Sequence, residues 1–113
     1  MAEALEPGKA LVAYHEAQNF TRFYGSAASD QLLEMVFSFS NDEVDENGHW
    51  VTDENIERLN YDAEALKKEI VPGKAAQSGF LVTIFGRWLK VSVRNLGTEP
   101  TKFLRAYVRG SVF

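Results

Sequence analysis

The chain has 113 residues, a formal net charge of −4 and no cysteine, which fits one domain with a modest core. The lack of cysteine excludes disulfides, thiolate zinc sites and thiol catalysis and favours a reducing compartment. Because the N-terminus is acidic and no apolar run approaches the roughly 20 residues of a membrane span, we expect a cytoplasmic protein without membrane contact.

The first part of the sequence predicts a loose end, one ambiguous element and a turn. Residues 1–8 form an acidic end closed by a Pro-Gly pair. Residues 9–15 alternate as in a strand, but the apolar spacing across 9–24 also fits a helix, and we favour the strand. The small and polar residues 25–30 predict a turn.

The next segment predicts a strand followed by an acidic loop. Within residues 31–40, four large apolar side chains alternate with other residues, as on one face of a strand. These side chains are Leu33, Met35, Phe37 and Phe39. Residues 41–48 are acidic and end in an Asn-Gly pair, which signals a tight turn, and residues 49–51 predict a short strand after it.

The sequence pattern over residues 53–70 predicts an amphipathic helix. Its apolar residues recur at alternating spacings of three and four, as on one helix face. They are Ile56, Leu59, Ala63, Leu66 and Ile70. Thr52 is the expected N-cap, acids follow in the first turn, and a Pro-Gly pair ends the helix.

The C-terminal part predicts three strands. Residues 79–85 are almost continuously apolar, which predicts a strand buried on both faces. Gly86 marks a bend before a strand over 87–95. After a loop that contains glycine and proline, residues 102–109 predict the last strand.

The order of these elements predicts an α+β fold, with mostly antiparallel strands and one central amphipathic helix. A helix between the third and fourth strands is also the element order of an OB-like five-stranded barrel. We expect residues 1–113 to form a single domain with an uneven charge. Residues 79–113 have a net charge of +5 and residues 1–78 of −9, which predicts a local positive field.

Each of the last two predicted strands has one apolar face and one basic-aromatic face. The residues on these basic-aromatic faces are Trp88, Lys90, Ser92 and Arg94 on the first strand and Phe103, Arg105, Tyr107 and Arg109 on the second. An antiparallel hairpin that sets Arg94 opposite Phe103 and Trp88 opposite Arg109 would join the two faces and place cations beside rings.

Such a joined surface favours non-enzymatic binding of single-stranded DNA or RNA, because bases stack on rings and phosphates attract cations. In this hypothesis the bases stack on Trp88, Phe103 and Tyr107. The phosphates are bound by Lys90, Arg94, Arg105 and Arg109. The negative charge of the whole chain opposes non-specific binding. The same residue types also fit a protein-partner interface, a homo-oligomer interface or an ordinary solvent-facing surface.

The acidic residues of the central segment support an alternative hypothesis. Along 42–69 they would form an acidic helix face, as in an inhibitor or adaptor that occupies a basic groove or mimics nucleic acid. Part of this segment also resembles a calcium loop in its spacing. The matching residues are Glu43, Asp45, Asn47, Gly48 and Glu54. Because a predicted strand and not a helix precedes them, we favour a solvated loop without metal.

No catalytic signature is present in the sequence. His15 and His49 are its two histidines, and they show no spacing typical of metal ligands or of a catalytic pair. The sequence contains no glycine-rich phosphate loop and no nucleophile elbow. We therefore predict no catalytic residues, no cofactor and no metal.

Overall fold

The structure, a computed structural model, describes residues 4–73 and 79–112 and consists of two antiparallel sheets. The strands in these ranges are β1 (Ala10–Glu16), β2 (Arg22–Ser29), β3 (Leu33–Ser40), β4 (Ala63–Ile70), β5 (Gly79–Thr83), β6 (Trp88–Asn95) and β7 (Leu104–Ser111). The four-stranded sheet has the order β1-β6-β3-β4, and the three-stranded sheet has the order β5-β2-β7. A 3-10 turn over Ile56–Arg58 lies in the long connection between β3 and β4.

The core lies between the two sheets and is built from alternate residues of each strand. The inward residues of β3 are fully buried, and their neighbours on β6 are also buried. They pack against inward residues of β2 and β5, and the rings of Phe37 and Phe80 lie 4.8 Å apart across the sheets. Because side chains alternate with period two, the residues between these buried positions point away from the core, towards the outer face of each sheet.

Gly25 allows the three strands of the smaller sheet to pack closely. A Cβ at this position would lie 1.9 Å from the Tyr107 carbonyl oxygen and 2.8 Å from the Phe80 ring. Phe80 is the direct cross-strand neighbour of Gly25, so its ring occupies the space that a side chain would need. The predicted turn over 25–30 was wrong because these small residues serve packing within β2.

The predicted helix over 53–70 was also wrong. This segment contains the 3-10 turn and β4, and β4 pairs with β3 through a bulge between Phe37 and Ser38. Helical periodicity does not decide the outcome here, because the open edge of β3 offers a ladder of backbone hydrogen bonds and an apolar neighbour. The α+β fold with a central amphipathic helix is therefore corrected to an antiparallel two-sheet sandwich.

The OB-like barrel was wrong for a related reason. Across the described ranges the strands form two separate sheets with open edges, and no closed barrel is present.

The strand over 79–85 is not buried on both faces, because in β5 buried residues alternate with exposed ones such as Leu81. The strand interpretations of 9–15 and 31–40 are confirmed by β1 and β3.

We expect Gly25→Ala to lower the free energy of unfolding by about 1–3 kcal/mol or more, because its methyl group collides with backbone as well as with a ring. Urea titration followed by circular dichroism measures the effect. Gly79→Ala is the matched control, since its nearest atom lies at an ordinary 3.8 Å and we expect a change within about 0.5 kcal/mol. Equal losses in both variants would contradict the close packing of Gly25.

Candidate nucleic-acid interface

The two strands that carry the predicted interface lie in different sheets. β6 lies between β1 and β3, whereas β7 pairs with β2. The predicted hairpin was therefore wrong: Trp88 faces Glu16 and Ser40, and Tyr107 faces Ser26. Alternation in a sequence sets which side of a strand faces inward, but it does not select the neighbouring strand.

Trp88 lies in a second, smaller apolar cluster on the outer face of the four-stranded sheet. Its side chain is 6% exposed and is covered by Ile56 and Leu59 from the connection between β3 and β4. The indole N–H donates a hydrogen bond to the Asp42 carbonyl oxygen at 3.3 Å. Trp88 therefore has no free ring face on which a base could stack.

Lys90 and Arg94 share the outer face of the four-stranded sheet with Trp88. Lys90 is half-buried between Tyr14 and Ser38. The Arg94 guanidinium is exposed and donates to the Gly8 carbonyl oxygen at 3.1 Å. These cations lie on the opposite side of the sandwich from the outward residues of β7, so one ligand face cannot contain both groups.

The outward residues of β7 lie together, and β2 adds two residues that the sequence analysis missed. Tyr24 is the cross-strand neighbour of Arg109, and Arg22 lies further along the same face. We call this surface the arginine–tyrosine face; it comprises Arg22, Tyr24, Phe103, Arg105, Tyr107 and Arg109. Alternation over residues 22–29 could have revealed the two additions, but the turn preference of Gly25 and Ser26 obscured it.

Rings and guanidinium groups alternate on the arginine–tyrosine face. The Arg105 Cζ atom lies 5.8 Å from the Phe103 ring centroid, and the Arg109 Cζ atom lies 5.4 Å from that of Tyr107. These distances are in the range of cation–π interactions, which orient the guanidinium groups. The described strands of this sheet contain three arginines and no acid, so the positive charge of the face is not neutralised by its own strands.

Phe103 is placed by hydrogen bonds at the start of β7. The Asp30 carboxylate accepts from the Lys102 amide at 2.8 Å and from the Phe103 amide at 3.3 Å. The Ser29 hydroxyl donates to the Phe103 carbonyl oxygen at 3.0 Å. These bonds join the loop before β7 to the end of β2, which fixes the backbone of Phe103 beside Arg105.

A hollow of about 340 Å³ lies on the arginine–tyrosine face. The small side chains of Ser26 and Ala28 on β2 form its floor, and the larger side chains of Arg105 and Tyr107 on β7 form its wall. The small β2 side chains leave one face of the Tyr107 ring open to solvent, and Tyr107 is 50% exposed. A planar ring could lie against Tyr107 there while an anionic group meets Arg105.

The buried carboxylate of the acidic loop, that of Asp45, accepts hydrogen bonds from neighbouring residues of the same connection. Asp45 accepts hydrogen bonds from the amides of Asn47 at 2.9 Å and His49 at 3.0 Å and from the Asn55 side chain at 3.0 Å. The bond from the His49 amide is the main reason that the pKa of Asp45 lies below its ordinary value of 3.8. Within the two described ranges no group of three acids or histidines is arranged to hold a metal ion.

The acids expected on one helix face are divided between two places. Asp42, Glu43, Glu46 and their neighbours belong to the connection between β3 and β4, whereas Glu64 and Glu69 lie on β4 beside Lys67. Lys67 and Glu34 form an ion pair at 3.8 Å. These acids therefore lie on two different elements and not on one helix face.

Comparison with known proteins gives no relative for this chain. No protein-family model, no curated protein sequence and no solved structure matches it. In residues 4–73 and 79–112, none of the helical structure is long and apolar enough to cross a membrane.

We expect Trp88→Ala to lower the free energy of unfolding by about 3–5 kcal/mol, because it removes the centre of the smaller apolar cluster. Trp50 is the natural control, since it is 73% exposed, and Trp50→Ala should change the free energy by no more than about 0.5 kcal/mol. Urea titration measures both, and the fluorescence of the Trp50 variant should show the emission of a buried indole. A mild effect of Trp88→Ala would contradict its burial.

The acidic loop should stabilise the protein in a pH-dependent way. Because the folded protein lowers the pKa of Asp45, its stabilising contribution is complete above the ordinary carboxyl pKa and is lost as the pH falls through the folded pKa. We therefore expect Asp45→Asn to lower the urea midpoint at neutral pH, and the difference from the wild type to shrink as the pH falls below the ordinary carboxyl pKa. A difference that stays constant over this range would contradict the assignment.

Proposed function

We propose that this protein is a non-enzymatic binding module for single-stranded DNA or RNA, which it holds on the arginine–tyrosine face. One observation carries the proposal: this solvent-facing sheet surface interleaves three arginines with three rings, and its described strands carry no acid. Single-stranded nucleic acid offers the matching chemistry, since it combines anionic phosphates with bases that stack.

The roles of the residues follow from their positions on the two strands. Tyr107 and Tyr24 are offered as stacking platforms, and Phe103 extends the row at the start of β7. Arg105 and Arg109 lie beside these rings, where their guanidinium groups reach the phosphates between stacked bases. The proposed binding face retains four residues that the sequence predicted, namely Phe103, Arg105, Tyr107 and Arg109. It excludes Trp88, Lys90 and Arg94 and adds Arg22 and Tyr24.

The expected affinity is modest. Base stacking on an aromatic side chain contributes roughly 1–3 kcal/mol per base, and each phosphate contact adds a term that weakens as salt rises. Two stacked bases and a few phosphates together approach the roughly 8 kcal/mol that correspond to micromolar binding. The proposal places the protein in the cytoplasm, where nucleic acid is present and where a chain without cysteine needs no oxidising environment.

The negative charge of the whole chain does not prevent this binding. The acidic connection between β3 and β4 packs on the outer face of the four-stranded sheet, around Trp88. The arginine–tyrosine face lies on the other side of the sandwich. Two sheets about 10 Å apart separate these surfaces, and the Debye length at 0.1 M salt is also about 10 Å, so distance and salt together weaken the repulsion from the acids.

The proposal is tested by fluorescence anisotropy with a labelled oligothymidylate of about 15 nucleotides, titrated at several salt concentrations. We expect the double variant Arg105→Ala/Arg109→Ala to bind at least about tenfold more weakly and its salt slope to fall by about 1.4, because each phosphate contact to a single strand contributes about 0.7. Tyr107→Ala should weaken binding without changing the salt slope.

The matched control removes the same charge from the other sheet. Lys90→Ala/Arg94→Ala should leave the affinity nearly unchanged, because these side chains lie on the opposite side of the sandwich. An equal loss in this control would show general electrostatic attraction in place of a defined face. Absence of wild-type binding at low ionic strength would end the proposal.

A further inference from the structure

An apolar groove opens along one side of the sandwich, between β1 and β7. Its volume is about 370 Å³. Its walls include Leu11 and Ala13 of β1, Val91 and Val93 of β6, and Ala106 and Val108 of β7. Most of its walls are core-facing residues of the strands, and Tyr107 of the arginine–tyrosine face borders it.

The groove exists because the two sheets differ in width. β1 pairs with β6 so that Leu11 lies beside Val93 and Ala13 beside Val91, which places these four residues on the core side of the sheet. The two valines are buried, whereas Leu11 is 50% exposed and Ala13 is also exposed. β1 therefore extends past the edge of the three-stranded sheet, and no described residue covers its core-facing side.

The edge of β7 lies directly over this uncovered strip. β7 pairs with β2 on one side, and no described strand lies on its other side. An antiparallel or parallel strand added there would form hydrogen bonds with the backbone of β7 between Arg105 and Arg109 and would cover β1 at the same time. It would make the smaller sheet as wide as the larger one.

We propose that this groove binds an extended segment of a partner protein, as an added strand beside β7. Residues directly opposite on paired strands share a face. The partner residues beside Ala106 and Val108 would therefore point at Leu11 and Ala13, whereas those beside Arg105 and Arg109 would point to solvent. Charge complementarity then specifies a five-residue segment of the partner. Its first and last residues are acidic and pair with the two arginines, its second and fourth residues are apolar and enter the groove, and its central residue can be of any type.

A second copy of this chain is a poor occupant of the groove. Two β7 edges paired with each other would bring arginines close together, because β7 carries Arg105 and Arg109 and no acid. The other free edge on this side, β1, carries one acid, Glu16, at its very end. Neither strand provides two acids four residues apart, which the arginines of β7 would pair with.

The probe is a fluorescein-labelled heptapeptide with the core Glu-Val-Thr-Val-Glu, which reads the same in both directions and so does not require a known strand direction. We expect anisotropy to show binding at low salt, and the matched Lys-Val-Thr-Val-Lys peptide to bind at least about tenfold more weakly. N-methylation of one set of alternate backbone amides should abolish binding, whereas methylation of the other set should be tolerated, since alternate amides face β7.

Ala13→Phe tests the location, because the ring would fill the groove from an exposed position. We expect at least about a tenfold loss of peptide affinity and unchanged oligonucleotide binding, so the result is independent of the proposed nucleic-acid function. Amide shifts of the wild-type protein on peptide addition provide a second location test and should concentrate on β1 and β7.

Four results would overturn the proposal. They are no peptide binding at millimolar concentration, equal binding of the lysine peptide, amide shifts confined to other strands, and a groove occupied by a second copy. The last would appear in light scattering as a concentration-dependent dimer that Ala13→Phe abolishes.

Discussion

The burial of β3 between its neighbours and the opposite sheet is the constraint on which the rest of this structure depends. Its inward residues Leu33, Met35, Phe37 and Phe39 are fully buried. Each contributes roughly 1.5–3 kcal/mol of apolar transfer free energy, so a register shift by one residue would expose all of them together. β4 and β6 are held in register by pairing with β3, and β6 in turn positions β1.

The same constraint gives the sandwich two different outer faces. On the four-stranded sheet, the connection between β3 and β4 folds over Trp88 and closes a second apolar cluster. On the three-stranded sheet, the outward positions of β2 and β7 stay exposed and carry arginines and tyrosines. The core thus separates the acidic connection between β3 and β4 from the arginine–tyrosine face, whereas Lys90 and Arg94 of β6 lie on the same outer face as that connection.

The unequal width of the sheets explains why apolar residues remain uncovered in a well-packed protein. Most of the core is dense, and Gly25 is needed because even one methyl group does not fit between β2, Phe80 and the β7 backbone. The close packing ends at β1, where Leu11 faces the core side and no described strand covers it. This edge and the arginine–tyrosine face meet at β7, which takes part in both proposed interactions. Ala106 and Val108 line the groove, whereas Arg105 and Arg109 are used in both proposals.

Period-two alternation was enough to find β3, β6 and β7, because it reflects the geometry of a single strand, whereas at β1 it only favoured a strand over a helix. The sequence by itself thus determined which side of β7 would carry Phe103, Arg105, Tyr107 and Arg109. Only the tertiary structure decided that β2 and not β6 would lie beside them, that Trp88 would be buried, and that 63–70 would be a strand. The physical reason is that these outcomes depend on which edges and apolar faces meet in space, and local alternation carries no information about a partner distant in the chain.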